Sequence, residues 1–299
     1  MIGAASSTDA QRIPLLWINL DRAPQRHARM AWAIRQGGWQ AQRLAAVDGL
    51  DRHQRLLPWP NPLRAGTPLP GLRRLQEPQP WRRSSRAELA CLASWKRLLL
   101  LAAATPSPSG WLLLMEDDLG ACLADPAGWA HALSELIASC PPHTLAIQLA
   151  PISASVRQEL HQRWRSSGGR CLCWPKEDVR SHGNGAVLLH RRAIPQLVGP
   201  LEQLCAQRAA QWHPLSHPWQ IRPVADKWLY AALPAGSCQV ATYPHFCLEA
   251  ADSSLHQEHV AAYHRPSREI TLELWRRDGR HHLLAAQRQW DCILTTYRV

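Results

Sequence analysis

The chain has 299 residues and a formal net charge of +11, enough length for one large α/β domain or two smaller ones. Of its 34 basic residues only Lys96, Lys176 and Lys227 are lysines. The arginines are spread rather than gathered in blocks, and no recognition motif accompanies them, which argues against a nucleic-acid role and leaves anionic ligands and an acidic membrane surface as what the charge favours. Nine cysteines without a paired CxxC framework point to free thiols in a reducing cytoplasm. Residues 1–12 lack the apolar core of a signal peptide, and no apolar run approaches the ~20 residues of a spanning helix. The expected location is cytoplasmic, with peripheral contact to the inner face of the membrane.

Ile13–Leu20 reads as a first strand, followed by a helix entered at Pro24, running to about Gln36 and closed by Gly37-Gly38. Ala41–Val47 is a second strand ending at Asp48-Gly49. Strand–helix–strand opens a parallel, nucleotide-binding type of sheet. The proline-dense stretch Leu56–Pro80 is expected to be a long loop. Ser85 and Glu88 have capping-box spacing at the start of a helix through about Ala104.

Trp111–Met115 reads as a buried strand, Pro126–Ser139 as a helix and Thr144–Ala150 as a further strand. Cys171–Trp174 is a short strand, and Ser181–His190 a glycine-punctuated turn running into a strand. A helix follows from Arg192 to about Leu204, another starts within Pro223–Tyr230, and Cys238–Tyr243 is a late strand. From Glu249 to Val299 the pattern is helical, rich in His and Arg, and broken at Gly279. The expected organisation is a flexible leader over 1–12, one α/β domain over 13–250, and a C-terminal helical extension over 251–299. No internal repeat is present.

The strand at Trp111–Met115 ends in Glu116-Asp117-Asp118. Three adjacent carboxylates at a strand end repel one another and resist desolvation. A hard divalent cation carrying a phosphate-bearing ligand would neutralise them, because Mg²⁺ and Mn²⁺ prefer oxygen donors and keep positions open for substrate. Acidic residues after a strand also cap the next helix, so the triplet alone leaves both readings open.

Six segments, taken in order, carry a resemblance. Ile18-Asn-Leu-Asp21-Arg22 with Arg26 resembles an INLdR…R opening, and Arg43-Leu-Ala-Ala-Val-Asp48-Gly49 an RfxAvdG segment. Glu88-Leu-Ala-Cys91-Leu-Ala-Ser94 resembles gEigCxxSH, and Leu113-Leu-Met-Glu116-Asp117-Asp118 resembles lilEDD. Gly183-Asn-Gly185-Ala-Val-Leu-Leu resembles a G-x-G/A-Y-l-i segment, and Pro223-Val-Ala-Asp226 a p-x-D segment. In this series the chain is similar to glycosyltransferase family 25, the group of lipopolysaccharide β-galactosyltransferases related to collagen galactosyltransferases. The likeness runs over about residues 13–255. The chain departs from the pattern at Trp95, where the family has His, and at Ala186 or Val187, one of which stands in place of the family's usual aromatic residue.

The resemblance implies a GT-A fold, a Rossmann-like mixed sheet flanked by helices. It also implies a UDP-sugar donor such as UDP-galactose, a Mn²⁺ or Mg²⁺ cofactor, and inverting transfer to a hydroxyl of a glycan or protein acceptor. Asp118 is then the expected metal ligand, with Glu116 and Asp117 beside it. Strand alternation would put Glu116 and Asp118 on one side, one reaching the ion and the other the ribose or a water.

Asn19, Asp21 and Arg22 sit where such folds hold the nucleotide. Arg22 or Arg26 would pair with the diphosphate or with Asp48. Glu88 is either the capping partner of Ser85 or an acceptor of a substrate hydroxyl. Asp226 is the expected general base, against a plain helix-start aspartate. Gly183 and Gly185 either let the backbone approach the donor sugar or make a turn. His245 and Asp252 are late-chain candidates for a metal or phosphate contact, and Trp81 and Trp95 for stacking on a sugar ring.

Three readings of function follow. The first is a metal-dependent inverting transferase moving a hexose, expected to be galactose, onto a cell-surface glycan such as lipopolysaccharide. The second, a metal-dependent phosphohydrolase, needs further ligands at metal spacing, and the sequence offers no such set. The third is a catalytically degenerate protein that binds a nucleotide-sugar, or a polyanion, without turnover.

Overall fold

The Leu15–Asn19 strand (β1) is buried along its whole length, as a strand covered on both faces must be. The computed structural model describes residues 13–51, 86–199, 225–249 and 259–293, giving the backbone alone at 86, 88, 89, 126, 226 and 227. The leader, the proline-rich loop, Trp81, Ser85, Pro223 and Asp252 lie outside the described residues.

Helix α1 (Pro24–Gly37) starts with its proline in the first turn, where the missing N–H costs nothing. It stops at Gly38, whose φ of 64° is left-handed and whose N–H returns to Arg35 O at 3.2 Å. Strand β2 (Ala41–Ala45) then pairs parallel to β1. Helix α2 (Arg86–Ala104) leads to β3 (Trp111–Met115), and helix α3 (Pro126–Ser139) to β4 (Ala146–Gln148). Helix α4 (Ala154–Ser166), which the sequence reading did not foresee, precedes β5 (Cys173–Pro175) and β6 (Ala186–His190). A 3-10 turn at Arg191–Ala193 leads into a helix over 194–199; the end expected near Leu204 lies outside the described residues. Helix α5 (Ala225–Ala231), strand β7 (Cys238–Ala241), a π-turn at Val260–His264, α6 (Arg265–Arg277) and α7 (His281–Cys292) complete the described chain.

The seven strands form one mixed sheet in the order β2-β1-β3-β6-β4-β7-β5. Parallel pairing joins β1 to β2 and β3, with Leu15 opposite Ala41 and Leu113, and joins β4 to β7. Strand β6 runs against both β3 and β4, with Met115 opposite Ala186, and β5 runs against β7. The carboxyl ends of β1, β2, β3, β4 and β7 therefore share one edge with the entry into β6.

Alternation along the strands sorts the core into two layers. Leu15, Trp17, Leu113 and Met115 face a layer built with Met30 of α1, Leu133 of α3, Trp275 of α6 and Trp290 of α7. Leu16, Ile18, Leu112 and Leu114 face the other, with Trp95 and Leu98 of α2 and Trp228 of α5. Each such large side chain fully withdrawn from water contributes roughly 1.5–3 kcal/mol. The C-terminal helices thus belong to the same apolar layer as β1 and β3. No helix of the described residues is long and apolar enough to cross a membrane.

Candidate functional site

Asn19 closes β1, and its side chain turns to the acidic bend that follows β3. Its Nδ2 donates to Asp117 Oδ2 at 2.6 Å, and Arg26, one turn into α1, donates to Asp117 Oδ1 at 3.0 Å. Asn19 and Asp117 are both at least nine-tenths buried, so the aspartate's charge is met by hydrogen bonds and a guanidinium in place of water. Arg43 of β2 fixes the amide of Asn19 from the other side, its Nε donating to Oδ1 at 3.0 Å, and its guanidinium also pairs with Asp21. Arg22 is engaged by Asp48 at 2.7 Å, while Asp48 Oδ1 accepts the Leu50 N–H at 2.9 Å.

Strand β3 ends at Met115, and the three carboxylates part company there. Glu116 turns to α2, where Trp95 Nε1 donates to its Oε1 at 2.9 Å. Asp118 instead lies in the fields of Arg26, Asp117, His264 and Glu249. The expectation of Glu116 and Asp118 on one side fails because alternation stops with the strand. Trp95 is fully buried, which removes it as a stacking surface for a sugar.

Asp118 Oδ1 is occluded and has no hydrogen-bond partner among the described residues. Burial pushes its carboxyl above the usual carboxylate range, Arg26 and His264 pull it down, and Asp117 and Glu249 add to the rise. Next to it, the Glu116 N–H donates to Gly185 O at 2.8 Å, and a Cβ on Gly185 would stand 3.8 Å from Asp118 Oδ1. Asn184 is nine-tenths buried, and its Nδ2 likewise has no partner among the described residues. The sheet's carboxyl edge thus carries an occluded acceptor and an occluded donor, both unmatched, and such groups in a folded protein call for an explanation.

Gly183 has φ +102°, and an added Cβ would meet Ile152 Cγ2 at 2.6 Å and Ala150 O at 2.9 Å. The 181–183 segment is held by Gln148, fully buried, whose Nε2 donates to His182 O at 2.9 Å and whose Oε1 accepts from Lys176 Nζ at 3.0 Å. Tyr230 of α5 donates to Gly183 O at 3.4 Å, tying the helix that carries Asp226 to this segment. Glu88 and Asp226 are placed by backbone alone, in the first turns of α2 and α5.

No family model, curated protein or solved structure matches the chain.

The structure therefore gathers Asn19, Arg26, Asp117, Asp118 and Gly185 at one edge, with Arg22, Asp48, Asp21 and Arg43 in an ion-pair network beside them. His245 is not part of that group. It packs against Trp129 and Tyr243, and burial together with Arg280 and His282 drives its pKa down to about 3. Three residues passed over by the sequence reading join the edge. The Glu249 N–H donates to Asp118 O at 2.8 Å, its side chain pairs with buried Arg29, and its carbonyl lies 3.2 Å from His264 Nδ1. Nothing local in the sequence marks Arg29, Glu249 or His264, because their meeting depends on the long-range path of the chain.

No cluster of three or more His, Cys, Asp or Glu fit to hold a metal is present among the described residues. Asp117 is spent on Asn19 and Arg26, and Glu116 accepts from Trp95. Asp118, with its unmatched oxygen and raised carboxyl, is the residue there that suits a hard cation. One protein carboxylate suffices where phosphate oxygens and waters supply the remaining ligands, the usual arrangement for Mg²⁺.

Proposed function

We propose that the chain is a metal-dependent inverting glycosyltransferase of GT-A type, moving a hexose from a UDP-sugar, with UDP-galactose the expected donor, to a hydroxyl of a cell-surface glycan such as lipopolysaccharide. The observation that carries the reading is the unmatched pair at the sheet's carboxyl edge, Asp118 Oδ1 and Asn184 Nδ2. Ligands of open α/β sheets bind at this edge, and a polar, hydroxylated, anionic ligand would satisfy both atoms. The ordered resemblance of the six segments to family 25 names the ligand class, and the mixed α/β sheet is compatible with the fold it implies.

In this reading Asp118 would hold Mn²⁺ or Mg²⁺, whose chemistry there would be to neutralise charge on the leaving diphosphate. The chain's own residues do the remainder. Arg26 and Asn19 hold the Asp117 carboxyl in place beside Asp118. Gly185 lets Leu119 pack against its backbone beside Asp118, where an added Cβ would meet Leu119 Cδ2 at 2.9 Å and Asp118 Oδ1 at 3.8 Å. The resemblance assigns Asp226 the role of general base, which would accept the proton of the acceptor hydroxyl as its oxygen forms the new glycosidic bond.

The test is donor hydrolysis by the purified chain across a panel of nucleotide sugars, with Mn²⁺ and with EDTA, beside Asp118→Ala. Slow Mn²⁺-dependent UDP release from one donor, lost in the variant, supports the reading and names the sugar. Absence of both UDP release and metal-dependent UDP binding overturns it. A second reading, a degenerate protein that binds a nucleotide-sugar or a polyanion without turnover, draws support from the engagement of Glu116 and Asp117 by protein donors. Binding that survives EDTA and is lost with salt would favour its polyanion form.

A further inference from the structure

Cys140 and Cys173 are 33 positions apart, yet their sulfurs lie 2.7 Å from each other. Cys140 is the extended residue that ends α3, with φ −73° and ψ 138°. Cys173 opens β5, the last strand of the sheet, which among the described residues pairs with β7 alone. The approach is fixed by three bonds between the two elements. The Cys173 N–H donates to Ser139 Oγ at 3.1 Å, the Cys171 N–H to Glu135 Oε2 at 3.0 Å, and Cys173 Sγ to Leu136 O at 3.3 Å. Two backbone donors of the 171–173 segment thus hold it against side chains near the end of α3, and the Cys173 thiol itself bonds to that helix. Both residues are only half-buried, whereas Cys122, Cys171, Cys238 and Cys247 are buried.

We propose that Cys140 and Cys173 are a site of oxidative cross-linking, closed by a small-molecule disulfide such as oxidised glutathione. One cysteine, as thiolate, attacks the oxidant's S–S bond, and one oxidant thiolate leaves. The second cysteine's thiolate then attacks the protein sulfur of that mixed disulfide and expels the other oxidant thiolate. One protein S–S bond forms, the oxidant's S–S bond breaks, and the two thiol protons end on the two released thiols. The protein is oxidised by two electrons and the oxidant reduced by two.

The cross-link fastens an outer strand to a helix end. Outer strands lack a second partner and are among the first elements to open, and a bond closing a loop of this length removes freedom from the unfolded chain. Reduced and oxidised protein should therefore differ in stability. The pair forms by chain folding, which is why spacing alone, with C-x-C at Cys171 and Cys173, does not reveal it.

The full chain, reduced and then equilibrated in glutathione buffers of rising oxidising poise, is alkylated and digested without reductant for peptide mapping. The expected result is a linked peptide pair carrying Cys140 and Cys173 in monomeric protein, with Tm raised by about 5 °C and restored to the reduced value by dithiothreitol. Cys140→Ser and Cys173→Ser should each abolish that rise, while Cys292→Ser, at an exposed thiol, should retain it. Full alkylation of Cys140 and Cys173 under conditions that oxidise Cys292 overturns the proposal, as does linkage of either cysteine to a different partner. The peptide map needs no variant, so a substitution that impairs folding leaves the test intact.

Discussion

Trp95 Nε1 donates to Glu116 Oε1 at 2.9 Å, joining α2 to the first carboxylate after β3. The indole is fully buried, so the bond is made out of contact with water. Hydrogen bonds to charged groups contribute about 1.5–3 kcal/mol. Trp95→Phe should therefore lower stability by about 2–3 kcal/mol, seen in urea as a lower midpoint at unchanged slope. A change under about 0.5 kcal/mol would mean that other groups hold Glu116.

Asp118→Asn separates stability from binding. The folded carboxyl takes up a proton more readily than the unfolded one, because burial raises its pKa from 3.8. The folded state then binds more protons, and stability falls as pH climbs from 3.8 toward the raised value. The amide removes that loss. Metal-free Asp118→Asn should melt a few degrees above the parent at neutral pH, yet lose any gain in Tm that Mn²⁺ with UDP gives the parent. A variant that melts lower in EDTA and keeps the Mn²⁺ response would remove Asp118 from the site.

His245 sets the acid limit. Its pKa falls from 6.5 to about 3 on folding, so the unfolded chain binds the extra proton. The stability it confers is complete above 6.5 and declines as pH drops toward 3, by up to about 1.4 kcal/mol per pH unit. His245→Phe should flatten this limb of the stability–pH curve, measured by chemical unfolding between those limits. An unchanged limb would assign the acid sensitivity to the carboxylates.

Gly183 and Gly185 should respond differently to alanine. At Gly183 the positive φ and the backbone of Ala150 both oppose a Cβ, and Gly183→Ala should cost about 2 kcal/mol or more. At Gly185 the nearest obstacle is Leu119 Cδ2 at 2.9 Å, the end of a side chain. Gly185→Ala should therefore be nearly neutral in stability while weakening ligand binding several-fold, read as KM or Kd for the UDP-sugar. The reverse order of effects would shift the site away from Asp118.

The first β1–α1–β2 unit was legible because Pro24 and Gly38 mark the helix ends chemically. Helix α3 was legible from Pro126 and its apolar run. Helix α4 was not. Its buried face alternates Val156, Leu160 and Trp164 with buried Arg157 and His161, so the apolar stripe is narrow and the pattern looks polar. Those two polar residues are buried because partners from elsewhere satisfy them: Phe246 O and Thr271 Oγ1 for Arg157, Asp278 for His161. At the candidate site, Asn19, Arg26 and Asp118 were legible as motif positions. Asn184 and His264 were not, since no spacing rule announces an unmatched amide or a histidine brought in from the C-terminal segment.

The bond from the Glu249 N–H to Asp118 O has a consequence in time as well as in space. Synthesis runs from the N-terminus, so β1 and β3 leave the ribosome well before Trp275, Leu283 and Trp290, which cover one face of those strands. Until α6 and α7 emerge, that face is covered only in part, by α1 and α3, and Arg29 awaits Glu249 until the chain has been made that far. The acidic bend is therefore completed only after residues 249–264 have been made, and a nascent chain stalled before α6 should be a client for chaperones that shield apolar surface.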